Sequence, residues 1–295
     1  MALALFSEVI LGGNPISNDY SNRGTAYAAK RQFDLALDDF NRAIRIDPHT
    51  WYPHLKRGEI YAQRGDTARA MTDFSAAIRD HAGNDSRIFY QRGRIYLQQQ
   101  QWRPAQEDFD KVLELEPDYA EGYMYRAQAS AGEMRAVMEN CRRQSSDRST
   151  LVGGPCSRPM TFSAALTDLK TAVAKKPGLA DAHYDMGRIL SDLDRCDEAI
   201  DAYSEAVRAN QSFSYAYNNR GVCYLKLNRR DRALADFSDA IRTDPRNKIA
   251  WTNRGEMREK ARERREAIDD FRQALAIDPQ HAPARDGLRR LGVRQ

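Results

Sequence analysis

Small and large apolar side chains recur along this chain at spacings of four and three residues. Ala36, Phe40 and Ala43 set the pattern, and Ala70/Phe74/Ala77, Ala105/Phe109/Val112, Ala165/Leu169/Ala172, Ala199/Tyr203/Ala206, Ala233/Phe237/Ala240 and Ala267/Phe271/Ala274 repeat it. That spacing places the apolar residues on one face of an α-helix. Pro48, Pro117, Pro177, Pro245 and Pro279 each fall twelve residues after the first alanine of their segment, where a helix should stop. Upstream of these segments stand Gly24, Gly58, Gly93, Gly187, Gly221 and Gly255, separated by 34, 35, 94, 34 and 34 residues, with Ala127 filling the gap 34 after Gly93. A fixed period of this length predicts a stacked array of helix pairs. The 17 glycines and 11 prolines are too few for an all-β chain with many tight turns.

Numbered within each period, the first helix carries an aromatic or His at position 4 (Tyr20, His54, Phe89, Tyr123, His183, Tyr217, Trp251), the small residue at position 8, and often Tyr at position 11 (Tyr27, Tyr61, Tyr96, Tyr224). The alanine of the second helix is position 20, and its large residue is position 24. This pattern resembles the tetratricopeptide repeat, a 34-residue pair of antiparallel helices A and B. The resemblance implies an all-α, right-handed superhelical α-solenoid. Seven repeats are expected at 17–50, 51–84, 86–119, 120–179, 180–213, 214–247 and 248–281. Small side chains at positions 8, 20 and 27 would let helices approach, and the rings would fill the spaces between them. The 295 residues then form one solenoid, where length alone would suggest two domains.

Residues 1–16 are expected to form half a repeat, because Ala2, Phe6 and Val9 keep the helix-B spacing. A signal peptide is the competing reading, opposed by Glu8 and by the lack of a basic leading segment. Residues 282–295 are expected to be a capping helix. The fourth repeat is overlong, and its surplus at 139–164 is Ser-, Gly-, Pro- and Arg-rich, which predicts a loop between helices A and B. Cys141 and Cys156 bracket this insertion. A disulfide between them would require an oxidising compartment, whereas free thiols would suit the cytoplasm, to which the missing export signal points; both readings stand. Cys196 and Cys223 read as packing or surface thiols.

Arg23, Arg57, Arg92, Arg126, Arg220 and Arg254 occupy position 7, which the family usually fills with an aliphatic residue; Met186 is the exception. Asp39, Asp73, Asp108, Asp168, Asp236 and Asp270 occupy position 23, with Ala202 as the exception. Both exceptions fall in the fifth repeat, so an Arg–Asp bridge within each repeat is expected. Pairing between neighbouring repeats would leave charges stranded, at a cost of about 3–5 kcal/mol each if buried. Six of the 37 arginines thus read as structural.

Charged residues make up 30% of the chain, yet the net charge is only +4. This balance disfavours a dedicated nucleic-acid binder, although Arg229-Arg230, Arg262 to Arg265 and Arg289-Arg290 keep RNA binding as an alternative. No run approaches the ~20 apolar residues of a transmembrane helix. The five histidines are scattered, no glycine-rich phosphate loop occurs, and two cysteines fall short of a zinc ligand set, so neither catalysis nor a metal or cofactor is expected.

By resemblance, helix A lines the concave face through positions 2, 5, 6, 9, 12 and 13. The candidate peptide- or protein-binding residues there are Asn22, Leu55, Tyr90, Arg94, Met124, Tyr184, Arg188, Asn218, Asn219 and Asn253. Tyr90/Arg94 and Tyr184/Arg188 are the same ring-and-guanidinium pair, suited to stacking and to binding a carboxylate. Asn22, Asn219 and Asn253 at position 6 resemble an asparagine ladder that holds peptide backbone. No repeat combines Lys at position 5 with Asn at position 9, so recognition of a chaperone's acidic C-terminus is disfavoured. The expected function is a non-enzymatic interaction scaffold for a protein or peptide partner. Self-association through the insertion is a further alternative.

Overall fold

A computed structural model of the chain describes residues 2–80, 84–144 and 162–293. Among the described residues the regular structure is entirely helical, with sixteen α-helices and no strand. The chain divides into two compact units, Met1–Asp168 and Leu169–Gln295. In the first, α1 (Ala2–Leu11) packs on α2 (Ser17–Ala29), which pairs with α3 (Phe33–Ile46). The pairs α4 (Trp51–Gln63)/α5 (Thr67–Asp80) and α6 (Ser86–Gln98)/α7 (Trp102–Leu115) follow, then α8 (Ala120–Gln144) and the start of α9 (Ser163–Lys175). The second contains the rest of α9, the pairs α10 (Ala180–Asp192)/α11 (Cys196–Ala209), α12 (Ser214–Lys226)/α13 (Arg230–Thr243) and α14 (Lys248–Lys260)/α15 (Arg264–Ile277), and the terminal helix α16 (Ala282–Arg290).

Each pair closes the same way. Phe40, Phe74, Phe109, Tyr203, Phe237 and Phe271 are fully buried, together with the alanines, and in one case Val112, on either side of them in the helix-B pattern. The position-8 glycine faces this ring. A Cβ on Gly187 would stand 2.6 Å from the Tyr203 ring, and one on Gly58 would stand 2.7 Å from the Phe74 ring, so close approach requires glycine. In α16, Ala284 and Leu288 join the buried cluster around Phe271.

The turn from helix A to helix B is a tight one. Its residue at position 15 has a positive φ in six pairs: Arg31, Gly65, Gln100, Asp194, Asn228 and Arg262. The following N–H bonds back five residues, as Gln101 does to Tyr96 (2.8 Å) and Arg229 to Tyr224 (2.8 Å), which satisfies a terminal carbonyl. In the overlong repeat this position is Met134, and α8 runs on through it to Gln144. The loop expected from 139 onward is therefore helical over its first residues, with Met134, Val137, Met138 and Cys141 keeping the helical spacing. Cys141 is buried and disulfide-bonded, while Cys196 and Cys223 are buried free thiols. Cys156 and most of the insertion lie outside the described residues.

All six Arg–Asp bridges expected within repeats are present. In each, Nε and one Nη donate to the two carboxylate oxygens at 2.6–3.0 Å, from Arg23–Asp39 to Arg254–Asp270. Paired oxygens and nitrogens of this kind are among the stronger polar contacts. The second Nη adds a bond that the sequence did not suggest. It reaches the preceding pair at Asn41 from Arg57 (2.6 Å), Asp110 from Arg126 (2.8 Å), Ser204 from Arg220 (3.0 Å) and Ser238 from Arg254 (3.1 Å). All four acceptors occupy position 25. Each of these arginines thus ties helix A to its own helix B and to the helix B before it.

Position 4 is also more than packing. Tyr123 Oη, His183 Nε2 and Trp251 Nε1 lie 3.1, 2.9 and 2.9 Å from the carbonyls of Pro117, Pro177 and Pro245, each six residues earlier. These contacts fasten each helix A to the turn that precedes it.

Candidate functional site

In the second compact unit, α10, α12 and α14 bring Tyr184, Asn218, Asn219 and Asn253 into one hydrogen-bonded row. Asn253 Nδ2 donates to Asn218 Oδ1 at 2.9 Å, Asn218 Nδ2 to Asn219 Oδ1 at 3.0 Å, and Asn219 Nδ2 to Tyr184 Oη at 3.2 Å. The row leaves the second N–H of Asn253 and the Tyr184 hydroxyl proton available to donate. Tyr184 is half-buried; its ring lies 4.8 Å from Phe213 and 5.9 Å from Tyr203. Burial pushes the Tyr184 hydroxyl above the usual phenol range, although Arg188 and Asn219 oppose the shift. It therefore stays protonated at neutral pH. Arg188 is exposed, with Cζ 5.8 Å from the Tyr184 ring centre and Nη1 3.6 Å from Asp185. A cavity of about 170 Å³ opens among Arg188, Ser191, Asp192, Tyr203, Asn219 and Val222.

In the first unit, Tyr90 sits in an aromatic group on α6, α7 and α8. Its ring centre lies 5.7 Å from Tyr119 and 5.5 Å from Tyr125, and Tyr125 stacks on Phe109 at 5.4 Å. Burial raises the Tyr90 hydroxyl as well. The Arg94 guanidinium rests 5.5 Å from the Tyr90 ring and 6.0 Å from the Tyr125 ring. Beside it a cavity of about 430 Å³ is lined by Glu59, Ala62, Gln63, Thr67, Gln91, Arg94, Ile95 and Gln98.

Three sequence candidates belong elsewhere. Leu55 has no exposed surface and packs with Phe74, Ile88 and Ile95, so it is core. Met124 is 3% exposed and likewise interior. Asn218 is equally buried; its amide joins its neighbours and is not presented outward. Position 5 points toward the next helix pair, so a side chain there reaches the surface only when it is as long as Tyr90 or Tyr184. Asn22 is exposed on α2 and makes no hydrogen bond among the described residues. Gln63, Gln98 and Thr67 were not among the candidates. Glutamine at position 13 of two successive repeats is the signal that could have found Gln63 and Gln98; Thr67 has no such signal.

Pairwise antiparallel helices with a ring-against-glycine closure, repeated every 34 residues, define a helical-repeat protein. The family is shown directly: models described as tetratricopeptide repeat match residues 24–88, 86–119, 162–212, 184–229, 214–247 and 249–281. The chain belongs to the tetratricopeptide repeat family. It is similar to the tetratricopeptide repeat and J domain-containing co-chaperone DNJ1 of Cryptococcus neoformans, at 34% identity over 23% of this chain and 13% of that protein. It is also similar to RNA polymerase II-associated protein 3 of Mus musculus, at 24% identity over 68% of this chain and 29% of that protein. The chain thus spans less than a third of the length of these relatives. A tetratricopeptide repeat protein from Parabacteroides merdae has the same fold, with a TM-score of 0.65 and 15% identity over 94% of this chain and 98% of that one. Proteins of this family generally mediate protein–protein interactions and are typically non-enzymatic. Among the described residues no helix is long and apolar enough to cross a membrane, and no group of three potential metal ligands occurs.

Proposed function

We propose that this chain is a non-enzymatic scaffold whose A-helix face holds an extended peptide segment or a partner's surface loop. The observation that carries the reading is the row Asn253–Asn218–Asn219–Tyr184. It fixes three amides and a hydroxyl on the A helices of three successive repeats while keeping donors unspent, an arrangement suited to the alternating groups of an extended backbone. Tyr184 and the exposed Tyr215 add apolar area, and Arg188 adds a cation next to it. RNA binding is less favoured, because Arg229, Arg289 and Arg290 of the basic clusters are engaged by Asp197, Asp286 and Glu259. We further infer that Cys141 pairs with Cys156.

The test is affinity capture from the source lysate with the intact protein and with Tyr184→Ala combined with Arg188→Ala, each checked for an unchanged helical circular-dichroism signal. The double variant is expected to lose the partner. Equal recovery by both proteins would overturn the assignment of this face.

A further inference from the structure

We infer that the cavity between α4 and α6 is a subsite for a single side-chain carboxylate, an Asp or Glu of the bound segment; this rests on the peptide-binding reading above. Arg94 lies over the faces of Tyr90 and Tyr125, so its planes are occupied and its in-plane N–H groups are not. Among the described residues no carboxylate pairs with it and no acceptor takes its hydrogen bonds, unlike the arginines of the bridges. The side-chain amides of Gln63, Gln91 and Gln98, on the same cavity wall, likewise make no hydrogen bond there. One cation and three side-chain amides therefore line a space of about 430 Å³, large enough for an acidic side chain with the backbone that carries it.

The lining also sets the charge of the guest. Glu59 stands in the same wall, with its carboxylate 2.9 Å from Lys56 Nζ. Lys56 compensates Glu59, which leaves Arg94 as the one uncompensated charge of the wall. A monoanion balances that charge, and a planar carboxylate matches two guanidinium N–H groups. A phosphate dianion would bring a second charge with no cation to meet it, in a lining that also carries the Glu59 carboxylate. The subsite therefore discriminates for Asp or Glu and against phosphoserine.

A positional library of acetylated, C-terminally amidated dodecapeptides tests this, probed with the full chain and with Arg94→Gln. In retained peptides Asp or Glu is expected to exceed Asn or Gln at one position by about tenfold, as a charge-assisted bond warrants. Arg94→Gln should erase that preference while other positional preferences persist. Gln63→Ala with Gln98→Ala should reduce it. Retained peptides without an acidic position, a preference that survives Arg94→Gln, or phosphoserine outcompeting glutamate would each overturn the subsite and leave the groove reading standing. A library from which nothing is retained would overturn both.

Discussion

The guanidinium of Arg220 grips Asp236 through two parallel hydrogen bonds of 2.8 and 2.7 Å, while its remaining nitrogen reaches back 3.0 Å to Ser204 of the preceding helix pair. Both charged groups are largely shielded from water. Arg220→Met is expected to lower stability by about 3–5 kcal/mol, because it strands a buried carboxylate. Arg220→Met with Asp236→Ala should recover most of that loss, since it recreates the Met186/Ala202 combination found in the fifth repeat. Urea unfolding of the four proteins closes the thermodynamic cycle. A double variant no more stable than Arg220→Met would show that the two side chains are not coupled.

Acid sensitivity should depend on a neighbour of the bridge. Burial tends to raise the Asp73 carboxyl, but hydrogen bonds from Arg57 and from His54, whose Nδ1 lies 3.0 Å away, outweigh it and hold the group below the usual range. Its contribution to stability is therefore present above about pH 4, the ordinary Asp range, and is lost as pH falls through the lower folded value. Asp108 has the opposite sign: burial, opposed by Arg92, leaves it raised, so the folded chain holds that proton more tightly and gains stability as pH falls. His54→Phe, which copies Phe89 at the same position, should move Asp73 toward the Asp108 behaviour. Carboxyl-carbon NMR titration of both aspartates checks this, and an unmoved Asp73 would refute it.

The A-to-B turns offer stabilisation without touching the core. Gln100 holds φ at 57° where Gly65 supplies glycine in the preceding pair. Gln100→Gly should stabilise by roughly 0.5–1 kcal/mol, the relief of left-handed strain less the added freedom of the unfolded chain. A thermal midpoint that falls would contradict it.

The thiols should be inert in the folded protein. Burial, together with the neighbouring Cys196 thiol, pushes Cys223 up to about 12 against an opposing hydrogen bond with Ser191. Neither Cys196 nor Cys223 should react with an aromatic disulfide reagent at pH 8 until the chain unfolds. Two thiols are then expected without reductant and four after reduction. Fast modification of native protein would count against the burial.

Much of this was readable from the residues. The joint replacement of Arg and Asp by Met186 and Ala202 was enough to assign the Arg–Asp pairs, since each partner is a single residue type at one position. The backward bonds were hidden because Asn41, Asp110, Ser204 and Ser238 share only an acceptor oxygen. The long α8 was legible in retrospect: Met134 stands where the other turns have a residue in the left-handed region, and the helical spacing continues past it. The groove was harder, because position 5 borders both core and surface and side-chain length decides which. Hence Tyr184 reaches the surface and Leu55 does not.

The backward-reaching arginines bear on how the array opens as well as on how it holds. In a linear array, cooperativity is set by each nearest-neighbour coupling. The fifth repeat lacks that coupling on its leading side: Met186 has nothing to donate, and Lys170 fills the acceptor's position in the repeat before it. Among the described residues Arg92 of the third repeat bonds only Asp108, so the joint ahead of it is soft as well, and a second soft joint lies immediately ahead of Tyr184 and the amide row. Helix pairs on its two sides can fray separately, and amide exchange should divide there before it divides anywhere a guanidinium spans the boundary.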